Sequence, residues 1–435
     1  MKIPKRIAGT LINSLGGGVV PRTGLAYVTV GREAEIAALL RDVDTVADGG
    51  ASFRFVVGKY GSGKSFLLQT MRNYVMDRGF VVVDADLSPE RRLQGTRGQG
   101  LATYKELIRN MSTKTRPDGG ALSLILDRWI SGVMSSVAAG GEDPSSPDFA
   151  RAVEKEIYRV AAGVSELVRG FDFAKLLVEY YKAFVADDED KKTLVLKWFR
   201  GEYQTKSEVK EALGVGTLIT DDDWYEYIKL FAAFFVGAGY SGLFVLVDEL
   251  VNIYKIPNSI TRQYNYEKIL TMYNDTLQGK ASHLGFIMSA TPQCLEDTRR
   301  GIYSYEALRS RLASGKFASE GKIDLLSPVI KLSPLSNEET LVLTEKLTEI
   351  HAVLYDYAPR VSTEDAASFI RAEYGRVGAS ELITPREIIR DWIEILNILY
   401  QNPASTVASI LSSGGFTFAE ADVGERDENF AEFEI

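Results

Sequence analysis

Apolar positions along the chain switch between two periods, and the switches mark the elements. FRFVV (53–57) reads as a strand, and a glycine-rich turn leads from it into FLLQTMRNYVMDRG, where apolar residues return at helical spacing until Gly79. FVVVDADL follows as a continuous apolar run, the pattern of a strand covered on both faces of a parallel sheet. From about Leu101 to Gly239 the period stays near 3.6, as in TYKELIRNM, FAKLLVEYYKAFV and WYEYIKLFAAFFV, broken by GGEDPSSPDF and the charge run DDEDKK. No third strand stands out there. GLFVLVDEL, HLGFIMSA and DLLSPVIKL then read as short buried strands separated by helical stretches. After Ser333 only helices are expected: one capped by Ser336 with Glu339, one running from Ser362 to Gly375, and one with Thr384 as cap, Pro385 at the first helical position and Glu387 closing the box.

Composition narrows the chemistry. With 435 residues, 45% apolar and 25% charged, the chain can bury a large core and reads as soluble and globular, with two or three subdomains. No run approaches the roughly 18 uncharged apolar residues of a membrane span, and the start MKIPKRIAGTLINSLGGGVV is too glycine-rich for a signal peptide, so a cytoplasmic location and no membrane partner are expected. One cysteine, Cys294, and two histidines, His283 and His351, exclude a disulfide framework and argue against a zinc site. The net charge of −9 argues against coating nucleic acid by bulk electrostatics, although part of it comes from the tail EADVGERDENFAEFEI, read as a solvated end.

Two motifs carry the chemistry that remains. Gly58, Gly63, Lys64 and Ser65 fit G-x-x-x-x-G-K-[ST] between a strand and a helix. Such a loop turns backbone N–H groups toward a β-phosphate, reaches the β and γ oxygens with its lysine, and offers the Ser65 hydroxyl to Mg²⁺ at a helix N-terminus. Gly58, Tyr60, Gly61, Ser62, Gly63, Lys64, Ser65 and Phe66 are therefore the expected contacts to ATP. A phosphate loop also needs a carboxylate for the metal and an acid to activate water. LFVLVDEL supplies Asp248 for the metal and Glu249 as general base. FIMSATPQ ends the next strand with Ser289 and Thr291, where a hydroxyl would orient the attacking water, or would only begin a turn before Pro292. In YSYEALRSRLASGKF, Arg309 and Arg311 are two apart and point to different helix faces, so at most one is expected to reach a neighbour's γ-phosphate, with surface charge as the alternative. Arg386, in the first turn of its helix, sits where the dipole disfavours a cation, and a nearby phosphate would explain it.

In this order the motifs resemble those of an AAA+ ATPase of the origin-recognition type, over about residues 22 to 400. The upstream AYVTVGREAEIAALL resembles that family's VGRE box, which implies that Gly31 and Arg32 lie close to the nucleotide and that Glu33 begins a helix. RIAGTLINSLGGGVVP, VGREAEI, GKYGSGKSF, VVVDADLSPERRLQG and LITPREIIRDWI together look like the BREX BrxD-like ATP-binding proteins of bacterial phage-defence islands. That resemblance implies ATP binding, a helicase-type partner and a role against foreign DNA. The chain departs from the AAA+ pattern in the long helical stretch between VVVDADL and LFVLVDEL, which is the candidate contact for a partner or DNA.

The expected fold is α/β: a P-loop NTPase (AAA+) parallel sheet sandwiched by helices, with a large helical insertion and a C-terminal helical lid. The expected division is an N-terminal linker over 1–30, core over 31–100, helical insertion over 101–240, core over 241–333, lid over 334–402 and acidic tail over 403–435. The leading functional reading is an ATP-dependent assembly switch acting as a homo-oligomer on DNA or with a partner. A stand-alone helicase motor and an ATP-binding scaffold without hydrolysis are the alternatives. Arg91, Arg92 and Arg97 in SPERRLQGTRGQG read equally as a clamp on a DNA backbone or as a solvated loop.

Overall fold

A parallel sheet buries both faces, and each long strand here is apolar almost throughout. The computed structural model describes residues 2–161, 170–313, 324–375 and 384–412. Among them are β1 (Ala51–Val57), β2 (Val81–Asp86), β3 (Leu243–Asp248), β4 (Leu284–Ala290) and the short β5 (Val329–Lys331), joined in the order β2-β3-β4-β1-β5. The sheet is parallel throughout and flanked by helices, which make up 59% of the described residues. All five strands fall where the apolar runs predicted them. The third strand that the long helical stretch withheld is not missing: β2 pairs directly with β3, from Val81 opposite Leu243 to Asp86 opposite Asp248. The stretch between them is an excursion that leaves the sheet and returns to the next strand.

The chain divides into two compact units, each assembled from separated segments. One comprises residues 38–56 and 71–330, and so holds nearly all of the sheet and the helical excursion. In that excursion the aromatic residues are core. Phe173 packs edge-on against Phe199 and Phe231, Trp129 against Phe234, and Trp198 against Tyr227. These side chains are buried, as their helical spacing suggests, so they offer no face to a nucleobase. The loop after β2 is pinned by side chains rather than loosely solvated. Asn265 accepts from Leu93 N and Gln94 N at 3.0 Å, Asp221 accepts from Gly98 N and Leu101 N at 2.7 Å, and Trp224 Nε1 donates to Leu93 O at 3.0 Å. Arg91 turns inward, its Nε 2.9 Å from Asp86 O; Arg97 is exposed. Helix Leu122–Ala139 is long and apolar enough to cross a membrane by length and composition alone. It carries Asp127, which accepts from Tyr180 Oη at 2.8 Å, and packs Ile125, Leu126, Trp129 and Ile130 into the core.

The other unit comprises residues 1–37, 57–70 and 331–435. Its core joins both ends of the chain, and this corrects the reading of residues 1–30 as a linker. Helix Lys5–Gly16 contributes Ala8, Leu11, Ile12 and Leu15 to one apolar cluster with Leu343, Leu347, Phe369, Trp392 and Leu396. Three helices, Asn337–Tyr355, Thr363–Tyr374 and Pro385–Gln401, begin with the capping residues expected of them, Ser336, Ser362 and Thr384, each closed by an acid at the third helical position. The cluster runs past residue 402, because Val407 and Ile410 of helix Val407–Ser412 belong to it. The acidic stretch from Glu420 onward lies outside the described residues.

Two measurements check this unit. Leu11 is fully buried, so Leu11→Ala is expected to cost about 2–5 kcal/mol in denaturant unfolding; a loss under about 1 kcal/mol would mean that helix Lys5–Gly16 is not part of the core. His351 is buried, its Nδ1 2.8 Å from Tyr357 Oη and its Nε2 3.1 Å from Asn397 Oδ1, and burial holds its imidazole below the usual histidine value of 6.5. The unfolded chain then takes up the proton first, so this contribution to stability is present above pH 6.5 and is lost as pH falls toward the depressed folded value. The difference in melting temperature between the native chain and His351→Gln should shrink on acidification across that range; a difference independent of pH would contradict it.

Candidate functional site

In the unit that contains both chain ends, the loop after β1 is a cradle of backbone groups. Leu332 N donates to Val57 O at 2.8 Å as β1 ends, and the chain then turns through Gly58–Gly63 into helix Lys64–Asp77. Gly61 and Gly63 have φ of 73° and 93°, left-handed values that an L side chain resists. A Cβ at Gly63 would meet nothing within 4 Å, so that face of the loop is open. Lys64 Nζ donates to Lys59 O at 2.9 Å, folding the lysine over the loop. Ser62 Oγ is buried with no hydrogen-bond partner among the described residues. An anion receiving backbone N–H groups at a helix start, with a lysine and spare hydroxyls beside it, is the ligand this arrangement fits. Ser65 stands in the first turn of the helix; Phe66 packs against the apolar cluster of the C-terminal helices.

Those helices crowd the cradle through their caps. Gly31 has φ of 65°, and a Cβ there would fall 2.5 Å from the Glu339 carboxyl carbon; a Cβ on Gly61 would fall 2.5 Å from Thr384 Oγ1. Neither position takes a larger residue unless the capping side chain opposite it shifts. Arg32, nearly buried, donates to Ser333 O at 3.0 Å and Ser62 O at 3.4 Å, and pairs with Glu35 at 3.4 Å. It therefore ties the phosphate loop to the segment entering the lid. The Arg386 guanidinium lies 4.7 Å from the centre of the Tyr60 ring. The sequence names each of these residues but not these pairings, which depend on how distant helix starts pack.

The carboxylates belong to the other unit. β3 ends in Asp248, whose Oδ1 accepts from Ser289 Oγ at the end of β4 and from Glu249 N at 2.8 Å. Leu250 N donates to Ser289 O at 3.2 Å, which fixes the turn. Glu249 holds φ of 61°, a left-handed conformation that costs an L residue roughly 1–2 kcal/mol. Strain of this kind collects where a side chain's direction matters more than stability. Thr291 is engaged elsewhere, as the cap that accepts from Cys294 N at 3.2 Å. Arg309 and Arg311, on helix Glu306–Leu312, are exposed; Arg309 lies 3.6 Å from Glu306 and Arg311 Nη1 donates to Ala307 O at 2.6 Å. Sequence reasoning passed over Asp86, aligned with Asp248 across β2 and β3. Its carboxyl is pushed above the usual range, first by burial and then by the charges of Asp248 and Asp84. The signal was present in VVVDADL, where Asp84 and Asp86 share one strand face.

A parallel five-stranded sheet with a glycine-turned phosphate loop after one strand and a carboxylate at the end of another defines a P-loop NTPase. The chain belongs to the BrxC/D family of BREX system ATP-binding proteins, whose model matches residues 3–414. Membership makes it an ATP-binding component of phage defence. None of the curated proteins matches it.

The strain at Glu249 gives a test that needs no ligand. Glu249→Gly is expected to leave the fold intact and to raise stability by up to about 1 kcal/mol, read from denaturant midpoints. A Glu249→Gly protein clearly less stable than the native chain would mean that the carboxylate's contacts outweigh the backbone strain.

Proposed function

We propose that the chain is a Mg²⁺-dependent ATPase working in the cytoplasm as a nucleotide-controlled assembly switch, on DNA or with a helicase-type partner of the BREX system. The observation that carries hydrolysis is the end of β3. Asp248 is anchored by Ser289 Oγ and Glu249 N, while the next residue carries its carboxylate on a strained backbone. A binding scaffold has no use for that strain; a general base has.

ATP supplies a terminal phosphoryl group whose transfer to water is the reaction. Lys64, the loop N–H groups and Arg386 neutralise phosphate charge; the Ser65 hydroxyl and Asp248 would hold Mg²⁺. Ser289, donating to Asp248, leaves that carboxylate oriented. Glu249 takes the proton from the attacking water. The arginines of helix Glu306–Leu312 are exposed, so one of them is available to complete a neighbouring copy's site, and the exposed loop arginine Arg97 to touch a DNA backbone. Turnover then depends on assembly, and assembly on the bound nucleotide.

The decisive experiment measures ATPase rate against protein concentration, with and without duplex DNA, while light scattering follows mass. A rate per chain that rises with a larger species supports the switch. A flat rate in a monomer, stimulated by DNA, would replace it with a self-contained motor; no turnover in any assembled form would replace it with a scaffold. Lys64→Ala should weaken nucleotide binding. Glu249→Gln should retain binding and lower turnover by at least about a hundredfold; hydrolysis at the native rate would remove Glu249 as general base. Arg311→Ala should lose activity only in the assembled form, and chelation of Mg²⁺ should abolish turnover.

A further inference from the structure

Arg386 occupies a position that helix electrostatics alone disfavours. It lies in the first turn of helix Pro385–Gln401, at the positive end of the dipole. Among the described residues no carboxylate pairs with it. Glu387, the nearest acid on its own helix, is committed to the cap, accepting from Thr384 N at 2.8 Å and Thr384 Oγ1 at 3.1 Å. What holds Arg386 is an aromatic face. The guanidinium stands 4.7 Å from the centre of the Tyr60 ring, within cation–π range. Its stem runs past the chain at Gly18, where a Cβ would lie 3.9 Å from Arg386 Cδ.

The seat beneath this pair is rigid. Tyr60 precedes Gly61, whose missing Cβ admits Thr384 at the start of the Arg386 helix. The Thr384 side chain therefore packs directly on the loop backbone at Gly61, one residue from Tyr60 and two from Arg386. Tyr60 is itself 45% exposed, so its ring is not there to fill a core. It is a shelf on the crown of the phosphate loop, and a cation rests on it.

We infer that Tyr60 is a positioning residue that presents Arg386 to the terminal phosphate, and thereby sets the preference of this site for nucleoside triphosphate over diphosphate. The inference rests on the ATP-site reading above. The two nucleotides differ only in the last phosphoryl group, while the loop N–H groups serve the β-phosphate of both. A guanidinium already held in place loses less rotamer freedom when it pairs with that group than a free arginine does. Without the ring, the triphosphate forfeits that advantage and the diphosphate loses nothing.

The test is equilibrium titration with a fluorescent, hydrolysis-resistant ATP analogue and with the matching ADP analogue, in Mg²⁺. Tyr60→Ala should weaken the triphosphate roughly three- to tenfold and leave the diphosphate unchanged. Tyr60→Phe, which keeps the ring, should behave as the native chain. Arg386→Ala should also lower the triphosphate preference, and Tyr60→Ala added to it should lower it no further. Equal losses for both nucleotides would make Tyr60 a determinant of loop shape and overturn the inference, as would full additivity with Arg386→Ala or failure of Phe to substitute. The controls separate this from the parent reading. Loss of both nucleotides in Lys64→Ala supports the ATP site, and a native chain that binds neither removes site and inference together. An unchanged preference in Tyr60→Ala, in a chain that binds both, removes the inference alone.

Discussion

The absence of two β-carbons governs the arrangement around the phosphate loop. Gly31 and Gly61 stand where an added carbon would collide with Glu339 and Thr384, and both of those residues are part of capping boxes that start lid helices. A capping side chain is already committed to its own helix, so it has little freedom to step aside. Loop and helix starts are thus located by glycine backbone packed against capping side chains that have little room to shift. Arg32 adds a polar tie to the same region by donating to carbonyls in the loop and at the lid entry. The geometry at the lid entry then becomes a readout of the shape of a loop whose business is to close around phosphate.

The carboxylate end of β3 follows a different logic. There the backbone is strained rather than accommodated: Glu249 adopts a conformation that suits glycine, and the anchor is Asp248, fixed by a neighbouring strand and by the next residue's own N–H. The cost is borne by a sheet whose strands are buried on both faces. A large, well-packed core tolerates one unfavourable residue; a small one would not.

The sheet was legible in the sequence because continuous apolar runs have few other uses, and the lid was legible because Ser-x-x-Glu and Thr-Pro-x-Glu state where a helix begins. Among the described residues the long helical stretch hid no full strand: β2 pairs along its length with β3, and the stretch adds only an isolated antiparallel bridge from Ser112 to Val82. What the sequence concealed were relations between distant segments. Lys5–Gly16 reads as a glycine-flanked lead-in, and only its partners near Leu347 and Trp392 reveal it as core. Thr291 and Ser289 look equivalent two residues apart, yet Ser289 meets Asp248 while Thr291 caps a helix, a distinction made by where β4 ends. Asp86 went unnoticed because its significance lies across the strand gap, in register with Asp248.

The joining of Lys5–Gly16 to helices as late as Val407–Ser412 also bears on how the protein is made. A ribosome releases these segments in opposite halves of its work, so the first amphipathic helix emerges long before the residues that cover it. Until then its apolar face lacks the residues that cover it in the finished fold. A chain cut short during translation would carry an intact phosphate loop and no completed cluster behind it. Closure of the cluster behind the phosphate loop therefore waits on residues as late as Val407 and Ile410, so one end of the chain completes what the other begins.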